Sequence, residues 1–301
     1  MAVMDLHTLD VTEPLIRLFS QGREIPGSVL SLIPETPQIN IGENTVLTLM
    51  GRAKGQLLHE GSKKGDNGRT VTKKPFTTYK LVYSQRVTDE FIRWTESKQI
   101  DFIGSLVNDW LTKSMPRDLD TVVIHGMDPF TGVVDTELSD YMTKTGSSIL
   151  VPSTGDTAAA IDADFATAVG ELTRNGTAIT GIAIDGDAAT KLSTIVENGR
   201  AKYSGLGVFG LEGNNISGKR AASTPEVGAN GVKLIMGDWS NLILGFAGQA
   251  TWRVHDAGDP DNTGRDLAGH NEVLIRLELH AGSRILDDKA FAYIGKGSIT
   301  A

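Results

Sequence analysis

The chain contains no cysteine. That excludes a disulfide framework and any thiolate metal site. Positive charge is also in short supply: the formal net charge is −8 over 301 residues. Such a chain does not grip nucleic acid over its whole surface, although it can lie beside it. No apolar run reaches the ~18 residues of a membrane span. The opening stretch, MAVMDLHTLDVTEP, lacks the basic-then-apolar order of a secretory signal, so no signal peptide is expected. Local catalytic signatures are missing too. The six histidines form no H-E-x-x-H, and there is no P-loop GK[ST] and no G-x-S-x-G.

What is present is an ordinary globular balance, 40% apolar and 22% charged, with 34 glycines against 10 prolines. The length suits one large domain or two modest ones. Glycine in that amount implies many turns.

The longest helical pattern is Val87 to Leu119. Ile103, Leu106, Val107, Trp110 and Leu111 fall on one stripe at helical period. Thr88 is the expected N-cap, with Asp89 and Glu90 in the first turn. Pro116 is expected to stop or kink the helix. Ahead of it, Thr45 to Met50 and Thr70 to Val87 read as two strands joined by a long polar tip with Asp66-Asn67-Gly68 turn chemistry. Two strands that polar have no core of their own and need a surface to lie on. Residues 1–45, broken by Pro14, Pro26, Pro34 and Pro37, read as a flexible leader or as an arm that packs on something outside its own domain.

After the helix, Thr121 to Gly155 reads as a connector with a short strand near Ser147 to Val151. Asp156 to Arg174 is a second helix stopped by Asn175-Gly176, Thr177 to Asp185 a buried strand, and Asp187 to Asn198 a third helix ending at Gly199. Gly205 to Pro225 reads as loop, and β character resumes at Gly231. Two long strands then flank a polar tip. In the second, Val273, Ile275, Leu277 and Leu279 share one face, while Glu272, Leu274, Arg276, Glu278 and His280 share the other.

Candidate chemistry is weak against plainer readings. GLGVFG at Gly205 to Gly210 matches G-x-G-x-x-G, but no strand leads into it and no helix start follows, so a loop is expected. Asp259, Asp261, Thr263 and Gly264 imitate the start of a calcium loop. Its twelfth position is His270 rather than glutamate, and strands flank it. A solvated loop is expected, with no metal, cofactor or catalytic residue. Lys63, Lys64, Arg69, Lys73 and Lys74 make the hairpin basic. No aromatic residue interleaves the tip between Gly51 and Pro75, which disfavours single-stranded nucleic acid. A basic arm meeting an acidic neighbouring subunit fits the net charge. The candidate inter-subunit contacts are Lys63, Lys64, Asp66, Arg69, Lys73 and Lys74 on the arm, and Asp259, Asp261, Arg265 and Asp266 on the late loop.

The order of parts, with the stretches KKPFTTYKLVYSQRVTDEFI, MGDWSNLILGFAGQATWRV and NEVLIRLELHAGSRILDDKAFAYI, resembles the tailed-bacteriophage major capsid protein of the Hong Kong 97 fold. The resemblance spans roughly residues 40 to 297. It implies an α+β fold with an N-terminal arm (1–45) and an extended β-hairpin loop (46–84). It further implies a peripheral domain (85–129 and 246–301) with a spine helix at 88–114, and an axial α/β domain (130–245).

The implied function is a structural shell protein that self-assembles as hexamers and pentamers of an icosahedral head enclosing double-stranded DNA. It would be made in the host cytoplasm and reside in the virion. Implied partners are further copies of itself, scaffolding and portal proteins, possible decoration proteins, and packaged DNA held without sequence-specific binding; no membrane is involved. Some members of the family crosslink a loop lysine to an asparagine on another subunit with help from a glutamate. By that resemblance Lys63 or Lys64 would be the lysine, Asn262 or Asn271 the acceptor and Glu272 or Glu278 the glutamate, although the match is not residue-for-residue. The rival readings are an encapsulin-like nanocompartment shell and, from another class, a nucleotide-dependent α/β enzyme built on Gly205 to Gly210.

Overall fold

A computed structural model describes residues 28–34, 36–50, 57, 59–60, 63, 70–88, 90 and 96–296. A 3-10 turn, Val29–Leu32, comes first. Strands β1 (Gln38–Ile39), β2 (Glu43–Met50), β3 (Thr70–Thr77) and β4 (Tyr79–Thr88) follow. Helix α1 (Glu96–Asp109), a π-helical turn (Trp110–Ser114) and helix α2 (Met115–His125) form one continuous rod. Next come β5 (Ile149–Pro152), α3 (Ala158–Arg174), β6 (Gly181–Ile184) and α4 (Gly186–Ser193). Five two-residue strands follow: β7 (Val196–Glu197), β8 (Arg200–Ala201), β9 (Leu206–Gly207), β10 (Gly210–Leu211) and β11 (Asn215–Ile216). The chain closes with β12 (Lys219–Ser223), β13 (Leu234–Gly237), β14 (Leu242–His255), β15 (Glu272–Ile285) and β16 (Phe291–Gly295).

Two sheets organise the molecule. One runs β1-β14-β15-β4. Its inner face presents Val273, Ile275, Leu277, Leu279 and Ala281 from β15, all buried against the rod formed by α1, the π turn and α2. The rod contributes Ile103, Val107, Trp110, Leu111, Met115 and Leu119 to the same core. Each such side chain stabilises by about 1.5–3 kcal/mol. The second sheet runs β11-β12-β6-β13-β16-β5 and is covered on both faces. Ile182, Ile184, Leu234 and Met236 pack under α3 and α4, whereas Ala183, Ile235 and Tyr293 face the first core. Alternate residues serving two cores explain why GIAI, LIMG and FAYIG are continuous apolar runs rather than polar-apolar alternations. The 3-10 turn joins the first core through Val29, Leu30 and Leu32. Ser28 fixes it by donating to the buried Asp120 carboxylate at 2.8 Å. Burial pushes that carboxyl well above the usual aspartate range.

The long rod extends further than expected. Pro116 falls within the first turn of α2, just after the π turn, where the Met115 amide already reaches back to the Trp110 carbonyl. A ladder already offset there absorbs the missing proline N–H without ending the helix. Thr121 to His125, expected as a connector, is therefore helix. Tyr83 of β4 secures both sides of the offset. Its ring stacks on Trp110 with centroids 6.1 Å apart, and its hydroxyl donates to Asp118 at 2.7 Å. Thr88, expected as the N-cap, is the last residue of β4, opposite Glu272; Asp89, expected in the first helical turn, lies outside the described residues. Gly126 ends the rod in the left-handed region at φ 65, and a Cβ there would run into the Tyr141 ring.

Three local signals gave other outcomes. Asn198-Gly199, expected as a helix stop, is the turn of the β7–β8 hairpin with both residues at positive φ, the geometry an Asn-Gly pair favours. Gly205 to Pro225, expected as loop, holds β9, β10, β11 and β12. Its last strand pairs parallel to β6; that pairing is set by a distant partner, not by local propensity. Leu274, assigned to the polar face of β15, is fully buried, as is Leu267 in the loop that follows β14.

Two glycine substitutions with opposite signs test this account. Gly126→Ala should destabilise the isolated subunit by at least about 2 kcal/mol. Gly104→Ala, inside α1 with open space around its Cβ, should stabilise by about 0.5–1 kcal/mol. Urea denaturation followed by circular dichroism reads both.

Candidate inter-subunit surfaces

Strands β2 and β3 pair antiparallel from Glu43–Thr77 to Met50–Thr70 and belong to no larger sheet. The hairpin is fixed at its base. Along β3, Lys74 and Phe76 are buried while Val71, Lys73 and Pro75 are exposed. Phe76 and Ile39 together cover two facing glycines. Gly245 of β14 pairs with Gly282 of β15. A Cβ at Gly282 would meet Phe76 at 3.2 Å, and one at Gly245 would meet Ile39 at 2.6 Å. Glycine in a strand marks such a close approach, and an aromatic ring covers it. Lys74 donates to Asp288 at 2.6 Å and to the Ile285 carbonyl at 3.4 Å. On the outward face, Leu47 remains 64% and Val71 58% exposed.

The loop between β14 and β15 is tied down instead of projecting. Arg86, near the end of β4, donates to Asp261 Oδ2 at 2.8 Å, Glu272 at 2.9 Å and Asp259 at 3.0 Å, with a further close contact to Asp261 Oδ1. Arg265 reaches the other oxygen of Glu272 at 2.6 Å. Arg276 donates to the Pro260 carbonyl at 2.7 Å. Arg86, Leu274 and Arg276 share the outer face of the sheet, because directly opposed residues point the same way. The loop thus lies over that face and buries Leu274. Asp259 also receives the amides of Thr263 and Gly264, and Asp266 those of Gly258 and Gly269. The hydrogen bonds from Arg86 hold the Asp261 carboxyl below the usual aspartate range.

The sequence candidates separate accordingly. Lys63 and Lys73 are exposed on the hairpin. Lys64, Asp66 and Arg69 lie outside the described residues. Lys74 is buried and paired within its own subunit. Asp259, Asp261 and Asp266 organise their own loop. Arg265 is about half exposed, beside Glu272. The two glutamates considered for crosslinking are engaged, Glu272 by Arg86 and Arg265, Glu278 by Lys80 at 2.6 Å. Among the described residues no cluster of three or more His, Asp or Glu is arranged to hold a metal. GLGVFG is the β9–β10 hairpin, with Val208 and Phe209 exposed at its tip. Arg86 went unnoticed because nothing local marks it; only its position opposite Leu274 and the late acids gives it meaning.

Arg86→Gln should free this loop. Limited proteolysis should then cut within 256–271 several-fold faster, and unchanged cleavage would contradict the pinning role. The pH dependence follows from the sign of the Asp261 shift. A depressed carboxyl contributes stability that is fully present above its ordinary value of 3.8 and is lost as pH falls below that value. The loop of the unaltered chain should therefore resist cleavage equally at pH 5 and pH 8.

The model of the phage capsid family matches residues 27–295. A chain solved from Mycobacterium phage Ogopogo superposes with a TM-score of 0.70 at 26% identity, over 90% of this chain and 92% of its own length. One from Gordonia phage Cozz gives 0.70 and 26%, over 89% and 86%. A chain from the capsid of an empty GTA particle computed with C5 symmetry has the same fold, with a TM-score of 0.64 at 10% identity over 90% of each chain. No curated protein matches the sequence. The α+β architecture with its anchored hairpin and long rod is the Hong Kong 97 fold, and the chain belongs to the phage capsid family as a major shell protein.

Proposed function

We propose that copies of this chain assemble as hexamers and pentamers into an icosahedral head enclosing double-stranded DNA, with a structural and not a catalytic role. In this reading residues 1–45 are the N-terminal arm and 46–84 the extended loop. Residues 85–129 and 246–301 are the peripheral domain with its spine helix, and 130–245 the axial domain. Scaffolding and portal proteins, and decoration proteins where present, act on shells made in the host cytoplasm.

The observation that carries the reading is the β2–β3 hairpin. It has a buried base at Lys74 and Phe76 and an outward face with Leu47 and Val71 exposed. A two-stranded ribbon of this kind is marginal in water, so a neighbouring subunit is what stabilises it. Weak contacts repeated by symmetry give a strong shell. The net charge of −8 favours packed DNA that does not stick to the wall.

Electron microscopy of particles purified from infected host cells tests this. Closed icosahedral shells filled with DNA are expected. Small shells of uniform size holding protein cargo would point to a nanocompartment instead. A chain that sediments as a monomer under all conditions would overturn the reading.

A further inference from the structure

Helix α2 runs into a turn, residues 127–135, that is unusually well bonded for an exposed connection. The Asp128 amide donates to the Val133 carbonyl at 2.9 Å, the Gly132 amide to the Asp128 carbonyl at 2.8 Å, and the Asp135 amide to the Gly126 carbonyl at 2.8 Å. The Asp128 carboxylate accepts from the Phe130 amide at 3.0 Å and the Thr131 hydroxyl at 2.9 Å. Such a turn holds one shape. At its apex Phe130 is 96% exposed, and Val133 beside it 65%. A rigid aromatic knob of this kind is what a partner's apolar surface uses as an anchor, since little order is lost on binding.

Acids flank the knob along the chain, and the nearest cations, Lys144 and Arg284, are engaged further on at the Leu138 and Ser139 carbonyls. Asp128, Asp135 and Glu137 flank it, and residues 127–143 contain no lysine or arginine. The opposite combination, apolar and basic, is found on the hairpin. Leu47 and Val71 are exposed beside Lys73 on its outward face, and the tip segment carries Arg52, Lys54, Lys63, Lys64 and Arg69 against Glu60 and Asp66. The other exposed apolar tip, Val208-Phe209, lies in a stretch of mixed charge, Arg200, Lys202, Lys219 and Arg220 with Glu197 and Glu212, and so offers a basic arm no acidic ring. The hairpin of the same subunit is fixed on β15 and leaves Phe130 open, so its occupant comes from elsewhere.

We propose that Phe130 and Val133, ringed by Asp128, Asp135 and Glu137, form the seat on which the hairpin of a second copy of this chain docks, with Lys73 facing the acids. This rests on the reading of the hairpin as an arm that reaches a neighbour.

The absence of native cysteine makes the test clean. Assembled particles carrying Leu47→Cys together with Phe130→Cys, oxidised with copper phenanthroline, should run as covalent multimers on a non-reducing gel. Either single substitution should run as monomer. In parallel, Val71→Cys labelled with benzophenone maleimide and irradiated in particles reports where the hairpin lies, read by mass spectrometry; this arm does not need the Phe130 variant to fold. Crosslinks to 127–137 of another copy support the seat. Crosslinks to a different part of another copy overturn the seat and leave the reaching arm intact. Crosslinks confined to the same copy overturn both.

Discussion

The burial of strand β15 is the constraint on which the other parts depend. One face of its apolar alternation, Val273 to Ala281, must be covered, and the α1–π–α2 rod covers it. One edge takes β4, so Tyr83 can clamp the rod at Trp110 and Asp118, and Arg86 can pin the loop over the opposite face. Its far end supplies Gly282 and the Ile285 carbonyl, the floor and the acceptor that hold Phe76 and Lys74. The chain then turns into β16, at the heart of the second sheet. A single strand therefore fills the first core, carries the root of the hairpin and leads into the strand, β16, whose alternate residues serve both cores.

That arrangement separates rigid parts from the part left unsatisfied. The six-stranded sheet is buried on both faces, and the late loop is closed by its own ion pairs. Among the described residues, the hairpin combines exposed apolar side chains with long strand edges outside any larger sheet. In an isolated protein such an edge invites association. In a shell protein the same property is the means of assembly, and the anchored base sets the direction from which a neighbour is met.

Patterns with a short period were readable from sequence. The stripe of Ile103, Val107, Trp110 and Leu111 and the alternation in β15 lie where their periodicity put them, and Asn175-Gly176 does end α3. Where local chemistry met a distant partner, the partner decided. Pro116 did not stop the rod, because the π turn had already shifted the ladder. Lys74, read as a free basic contact, pairs with Asp288 across 214 positions, and Arg86 meets Asp261 across 175. Basic residues on a strand look alike in sequence; only the register tells which one points at the subunit's own core. Phe130 falls within the stretch expected as a connector, since exposure of an aromatic residue has no local signature.

The central claim is that the hairpin completes its stability on a neighbouring copy. Amide hydrogen exchange of β2 and β3, compared between unassembled subunits and assembled particles, tests it most directly. The account predicts slow exchange only near Phe76 in the free subunit, with protection spreading along the hairpin on assembly. Equal protection in both states would contradict it.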